Sequence, residues 1–239
     1  MPQVSHSPRI IAVGDIHGCA NALRVLIEAI EPQADDTIIP LGDVLDYGPD
    51  SRGVIEQLIQ LSRIVRLIPL RGNHEEMFLS VVDDQTDPQN WLRFGGDATL
   101  ASYDATEDSS QVPTEHLEFL RGGRLLYETD THFFVHANYY PNQRLTEQPR
   151  STMLWEDLRA STAARHYSGK IAVVGHTIQN EGILDLGFVQ CLDTNVCNEG
   201  WLTALDTTTG RYWQSNELGE LRDGQLKDAR ERFQREKLL

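Results

Sequence analysis

Short apolar runs alternate with amphipathic stretches through the first third of the chain. Arg9 to Val13 is a compact run of Ile, Ala and Val cut off by Gly14-Asp15, which reads as a buried strand. Asn21 to Glu31 follows, with Leu23, Leu26, Ile27 and Ile30 at helical spacing, and Pro32 stops it. The pair then repeats: Thr37 to Leu41 as strand, Ser51 to Leu61 as helix with Val54, Ile55, Leu58 and Ile59 on one face. Ile64 to Leu70 is a third strand that runs straight into Arg71-Gly72-Asn73-His74. Alternation of this kind predicts parallel pairing through right-handed crossovers, hence an α/β fold.

From Glu76 to Leu126 the pattern is mostly helical and polar, interrupted by Asp83-Asp84-Gln85-Thr86-Asp87-Pro88. The 76–126 segment reads as a helical insertion near the site, inside a single 1–239 domain. After Thr131 β-type runs return at His132 to His136, Lys170 to Val174, Phe188 to Asp193, Trp201 to Asp206 and Arg211 to Gln214, the last two forming a hairpin through Thr207-Thr208-Thr209-Gly210. The charged 221–239 tail reads as a peripheral helix or a frayed end.

Composition narrows the options. A 239-residue chain with 40% hydrophobic residues can bury an ordinary core, and a formal charge of −15 excludes stable binding to a nucleic-acid backbone. No apolar run approaches the ~20 residues that span a bilayer, and Met1 to His6 lacks the basic start of a signal peptide. The cytoplasm is the expected compartment, with no membrane partner. Cys19, Cys191 and Cys197 lack metal-knuckle spacing and read as buried structural thiols, with a redox pairing of Cys191 and Cys197 as the alternative.

The chemistry lies in five short motifs: Gly14-Asp15-Ile16-His17-Gly18, Gly42-Asp43-Val44-Leu45-Asp46, Arg71-Gly72-Asn73-His74-Glu75, Val135-His136-Ala137-Asn138 and Val174-Gly175-His176-Thr177. Ligands on such sheets gather at the carboxyl edge of the strands, and Asp15, Asp43 and Asn73 each fall just past one. A lone histidine after a strand is more often structural than a ligand. Asp15 and Asp43 also suit helix N-caps, but caps leave His17 and the ordered series of His136 and His176 unexplained. His6, His116, His132 and His166 keep surface or core roles.

Asp15, His17, Asp43, Asn73, His136 and His176 make an oxygen and imidazole set for two divalent ions, Mn²⁺ first, with Fe or Zn²⁺ as alternatives. Asp43 is the natural bridge, since a carboxylate can hold two ions ~3.5–4 Å apart, the spacing at which they activate a water for in-line attack on an ester. His74 sits beside the ligands yet points toward substrate, where it can protonate the leaving group, and Asp46 can orient its ring.

The motif series resembles the phosphoprotein phosphatase (PPP) family of calcineurin-like metallophosphoesterases, whose pattern runs GDxHG, GDxxDRG, GNHE, a later H and a final GH. Bacterial serine/threonine phosphatases and symmetrical diadenosine tetraphosphatases share this core. The resemblance implies a central β-sandwich flanked by helices, with the dinuclear centre at one edge, and makes Arg71 a phosphate contact. It also exposes two departures. Tyr47 stands where the family has a phosphate-gripping arginine, and Asp157 stands near the place of a second, with Arg159 as a candidate substitute. Tyr47 is then rim packing or a substrate-stacking residue. The expected activity is hydrolysis of phosphate monoesters on phosphoproteins or small molecules. Hydrolysis of diesters or dinucleoside polyphosphates by the same metals is the alternative, because fewer cationic clamps weaken a dianion more than a monoanion.

Overall fold

A computed structural model describes residues 7–105, 109–158 and 163–228. The elements in order are β1 (Ile10–Val13), α1 (Ala20–Ile30), β2 (Thr37–Pro40), α2 (Ser51–Leu61), β3 (Arg66–Leu67), α3 (Asn73–Val82), α4 (Pro88–Trp91), α5 (Asp97–Ser102), α6 (Thr114–Arg121), β4 (Leu126–Glu128), β5 (His132–Val135), α7 (Arg150–Trp155), β6 (Ile171–Val174), β7 (Leu184–Asp185), β8 (Val189–Cys191), β9 (Asp193–Thr194), β10 (Trp201–Asp206), β11 (Arg211–Ser215) and β12 (Leu221–Gln225).

Two sheets stack. One runs β12-β11-β10-β1-β2-β3, with β9 also on β10, and the other runs β4-β5-β6-β8-β7. β1 pairs parallel with β2, in register from Ile10↔Thr37 to Val13↔Pro40, so both strands end level. Their successors, Gly14-Asp15 and Leu41-Gly42-Asp43, therefore leave at one edge. β3 is shorter than the Ile64 to Leu70 run, but its ladder continues in effect, because Ile68 and Leu70 N–H still donate to the carbonyls of Ile38 and Pro40. Asn73 arrives at the same edge.

The second sheet repeats the device. β5 and β6 are parallel and in register, which brings Val135-His136 and Val174-Gly175-His176 out together. Cys191 pairs with Val174, so Asp193 follows to the same place. At Leu192 the chain changes sheets, because Asp193–Thr194 pairs with β10 rather than β6.

Between the sheets lie Ala12, Ile39, Leu41, Phe134, Val173, Leu192 and Leu205. The helices α1 and α2 cover the first sheet with Leu23, Leu26, Val54, Ile55 and Leu58. A third cluster, including Phe133, Val135, Met153, Leu158 and Val174, backs the second sheet. The architecture is the α/β sandwich flanked by helices that the motif series implies.

The tail departs from expectation. Residues Leu221–Gln225 are neither helix nor frayed end but an edge strand antiparallel to β11. Arg159, and the tail from 229 on, lie outside the described residues.

Candidate active site

The turns that carry the site are strained. His17, Asp43, Asp46 and His176 all have left-handed backbones, with φ of 46°, 50°, 72° and 61°. Such conformations at non-glycine residues cost about 1–3 kcal/mol each and persist where their surroundings over-determine them. Here the surroundings are backbone hydrogen bonds and close approaches. Ile16 and His17 N–H both donate to Asp43 O. The Glu75 carboxylate accepts from the N–H groups of Asp43, Val44 and Gly72 at 2.9, 2.8 and 2.7 Å. A Cβ at Gly72 or at Gly175 would meet Asp43 Oδ1 or Asp15 Oδ1 at 2.0 Å in either case. Those two glycines let the backbone pass directly beneath the carboxylates.

Asp43 is the hub. Its Oδ2 lies 3.7 Å from His17 Nε2, 4.0 Å from His74 Nε2 and 3.4 Å from His136 Nε2. Two groups of ligand atoms, each within 4.8 Å of one another, share it: His17, Asp43 and His74, and Asp43, His136 and His176. Asn73 Oδ1 joins the second group, 2.9 Å from His136 Nε2 and 3.1 Å from His176 Nδ1. Asp15 lines the same cleft, and both its oxygens accept the His176 N–H at 3.1 and 3.0 Å.

This donor set fits divalent cations. The carbonyls of Leu45 and Leu41 can only accept, so His17 and His136 place their Nδ1–H on them, at 3.0 and 2.9 Å. Their Nε2 lone pairs are thereby turned toward Asp43. A backbone carbonyl that fixes the ligating nitrogen is the usual outer support of a metal-bound histidine. An imidazole nitrogen, a carboxylate and an amide oxygen facing one space call for positive charge between them, a proton or a metal ion: Asp43 already raises the His136 imidazole against its burial.

His74 is held differently. Its Nδ1 is 2.7 Å from Asp46 Oδ2, which leaves Nε2 facing the Asp43 side. Asp46 is fully buried and takes three further bonds that the sequence did not signal: Trp91 Nε1–H at 3.0 and 3.1 Å and Thr99 Oγ1–H at 2.6 Å. Both donors come from the 76–126 segment. Gly95, at a break between α4 and α5, adds its carbonyl to the N–H of Tyr47 at 3.3 Å.

Charge follows burial and neighbours. Burial alone would lower His74, but Asp43 and the bond to Asp46 outweigh it and hold the imidazole up at about 9. Burial works against the Asp43 charge as well, yet His136, His74 and His17 keep its carboxyl well below the usual range. Burial pushes Asp15 well up, helped by Asp193 and Asp43. His17 and His176 are lowered to about 4, chiefly by burial. Asp193 is a site residue the sequence reading missed. It lines the cleft, and its signal was the end of a β-type run, the feature that also marked Asp15, Asp43 and Asn73.

A cleft of about 320 Å³ is lined by Asp15, His17, Asp43, Tyr47, His74 and His176, among others. Tyr47 is 49% exposed and packs its ring on His17 and His74, with centroids 5.1 and 5.2 Å away. Arg71 is turned aside: its guanidinium donates to the Arg121 carbonyl at 2.7 Å and meets Glu76 at 3.4 Å, and Glu76 is also paired with Arg150. Asp157 accepts the Thr177 hydroxyl next to His176. Cys191 is buried and donates to the carbonyls of Gly175 and Thr177, while Cys197 lies against Cys19, so the pairing of Cys191 with Cys197 is not the one the fold makes.

A strained, carboxylate-centred cluster at the edge of a flanked β-sandwich defines a metallophosphoesterase site, and the sequence profile of calcineurin-like phosphoesterases matches residues 8–200. The chain belongs to that family. It is similar to Serine/threonine-protein phosphatase 1 of Salmonella typhimurium, 32% identical over 151 residues covering 60% of this chain and 61% of that protein. It is also similar to the symmetrical Bis(5'-nucleosyl)-tetraphosphatase of Nitrosomonas europaea, 32% identical over 132 residues covering 55% of this chain and 45% of that one. The matched stretches thus span about half to three fifths of these relatives. Among solved structures, a cold-active protein-tyrosine phosphatase of a Shewanella species superposes with a TM-score of 0.67 at 18% identity, covering 93% of this chain and 82% of that one. A protein serine/threonine phosphatase of Saccharomyces cerevisiae gives 0.59 at 14% identity, covering 93% and 80%. These two show likeness of fold.

Proposed function

We propose that this chain is a dinuclear-metal-dependent phosphoesterase that hydrolyses phosphate monoesters, in the manner of a protein serine/threonine phosphatase. The observation that carries the reading is the His74–Asp46 pair, bonded at 2.7 Å beside the Asp43 hub. Asp15, His17, Asp43, Asn73, His136 and His176 already offer carboxylate, imidazole and amide ligands, so the carboxylate-held imidazole of His74 is left to serve as the proton donor that cleavage of an ester with a poor leaving group needs. His17, Asp43, Asn73, His136 and His176, with Asp15, would hold two divalent ions, Mn²⁺ foremost. Those ions, when bound, supply an activated water and neutralise phosphate charge. His74 Nε2 delivers the proton to the departing oxygen, and Asp46 fixes its ring and supports its charge. Arg71 reaches the phosphate after exchanging Glu76 for it.

Phosphoproteins or small phosphoesters are the substrates of this reading, and the cytoplasm its compartment. Among the described residues no helix is long and apolar enough to cross a membrane. Elemental analysis of the Mn²⁺-reconstituted protein should find close to two ions per chain, and chelation should abolish hydrolysis of p-nitrophenyl phosphate. Full activity with only trace metal would overturn the assignment.

A second reading, hydrolysis of diesters or dinucleoside polyphosphates, is favoured by Tyr47 and Asp157 at the places of two family arginines and by the relative from Nitrosomonas europaea. Comparing kcat/KM on p-nitrophenyl phosphate, its bis-ester, a phosphopeptide and a dinucleoside tetraphosphate separates the two. A preference for either of the last-named class or the bis-ester replaces the monoesterase.

A further inference from the structure

We propose that Cys19 and Cys197 form a dithiol modification site in the wall of the cleft, which a peroxide converts to a disulfide that slows the enzyme. The two sulfurs lie 3.2 Å apart although 178 positions separate them in the chain. Cys197 is partly exposed and lines the cleft beside Asn195 and Asn198, so a small oxidant reaches it by the path a substrate uses. Cys19 is buried behind it, at the N-cap of α1 and two residues past His17. The Cys197 thiol also touches the His17 carbonyl at 3.2 Å. Cys191 is excluded as a partner by its burial and its two backbone carbonyl contacts.

The reaction balances with peroxide as the oxidant. The Cys197 sulfur attacks one peroxide oxygen; an S–O bond forms, the O–O bond breaks and one water leaves. The Cys19 sulfur then displaces the hydroxyl; the S–S bond forms, the S–O bond breaks and a second water leaves. Two electrons pass from the two sulfurs to peroxide, and both thiol protons end in water.

Closing the contact to the ~2.05 Å of a disulfide moves the sulfurs by about 1 Å. The movement falls on the turn carrying His17 and on the loop carrying Asn195 and Asn198, and it removes the thiol donor from the His17 carbonyl. Misplacement of this size at a catalytic centre can cost on the order of 100-fold. The activity part of the proposal rests on the phosphoesterase reading; the chemical part does not.

The test treats the full-length, Mn²⁺-loaded protein with hydrogen peroxide and maps peptides without reduction. A linked peptide joining Cys19 to Cys197, two hydrogens lighter than its parts, is expected, with Cys191 unlinked. The denatured, unreduced chain should migrate faster, since the bond closes most of its length into a loop. Turnover, on whichever ester the protein hydrolyses, should fall tenfold or more and return with dithiothreitol. Cys19→Ser and Cys197→Ser, each compared with its own untreated activity, should resist the loss. A missing link at peroxide doses that inactivate the protein overturns the proposal. So does a complete link with unchanged turnover, or equal inactivation in both serine variants. An unreactive protein that still forms the link would count against the phosphoesterase reading instead.

Discussion

The His74 imidazole is where residue-level chemistry and mechanism meet. Held up at about 9 by Asp43 and Asp46 against its burial, it carries its proton at neutral pH, as a general acid must. Cations at Asp43 would cancel much of that carboxylate's pull, leaving Asp46 as the lasting support. His74→Asn should therefore cut turnover by about 10²–10⁴-fold on alkyl phosphates, with both metals retained, and far less on esters whose leaving groups need no proton. Asp46→Asn should show the same trend more weakly. Equal losses across leaving groups would reassign His74 to binding. The convergence of Asp15, His17, Asp43, Asn73, His74, His136 and His176 was legible because few residue types suit such a cluster and most of them follow a β-type run. Trp91 and Thr99, which fix Asp46, were not: their contact with it depends on a tertiary path that no local pattern records. Tyr47 was legible only as a departure. About half exposed and with its ring against His17 and His74, it offers a phosphate one neutral hydrogen bond where arginine offers a charged fork. Tyr47→Arg should raise the monoester-to-diester ratio of kcat/KM about tenfold, or about 1.4 kcal/mol. If instead Tyr47 stacks on substrate, activity on phenyl phosphate should fall relative to an alkyl phosphate. Unchanged ratios would make it packing.

At the scale of elements, level strand ends deliver the site and glycines make the delivery possible. The parallel registers of β1 with β2 and of β5 with β6 explain why residues from 15 to 176 share one edge. Sequence periodicity located those strands but said nothing of the left-handed turns beyond them, since φ at His17, Asp43, Asp46 and His176 is imposed by neighbours rather than by residue type. Gly175→Ala tests this directly. Its new Cβ would fall 2.0 Å from Asp15 Oδ1, so Asp15 or the His176 turn has to move. The expected outcome is a folded protein, with near-unchanged circular dichroism, that retains less than two metals and has lost most of its activity. Full metal content would show that the turn yields without disturbing the ligands. β12 was misread for a related reason. As an edge strand exposed along most of its length, it has no face to bury and hence no period-two signal; its charges looked like a solvated helix.

For the molecule as a whole, alternation along the first 70 residues foretold the parallel pairing of β1, β2 and β3 and the motif resemblance foretold the sandwich, but the antiparallel half of that sheet and the switch of sheets at Leu192 had no such signal. The sheets and the helices that flank them also bury polar groups whose titration the whole fold feels. His132, at the start of β5, and His116, bonded to the Tyr103 hydroxyl at 2.8 Å, are both buried and shifted below the ordinary 6.5, His132 by burial alone and His116 by burial foremost. A histidine whose pKa is lower folded than unfolded takes up its proton first in the unfolded chain. Stability from these two is thus fully present above pH 6.5 and is lost as the pH falls below it toward the folded pKa. His132→Phe removes one such group, and its bond to the Thr131 hydroxyl, while keeping an aromatic ring against Phe134. Urea midpoints measured from about pH 8 to about pH 5.5, with chelator present so that the metal ligands contribute equally to both proteins, should fall more steeply for the parent than for the variant. Parallel slopes would mean that His132 reaches solvent before the protein unfolds.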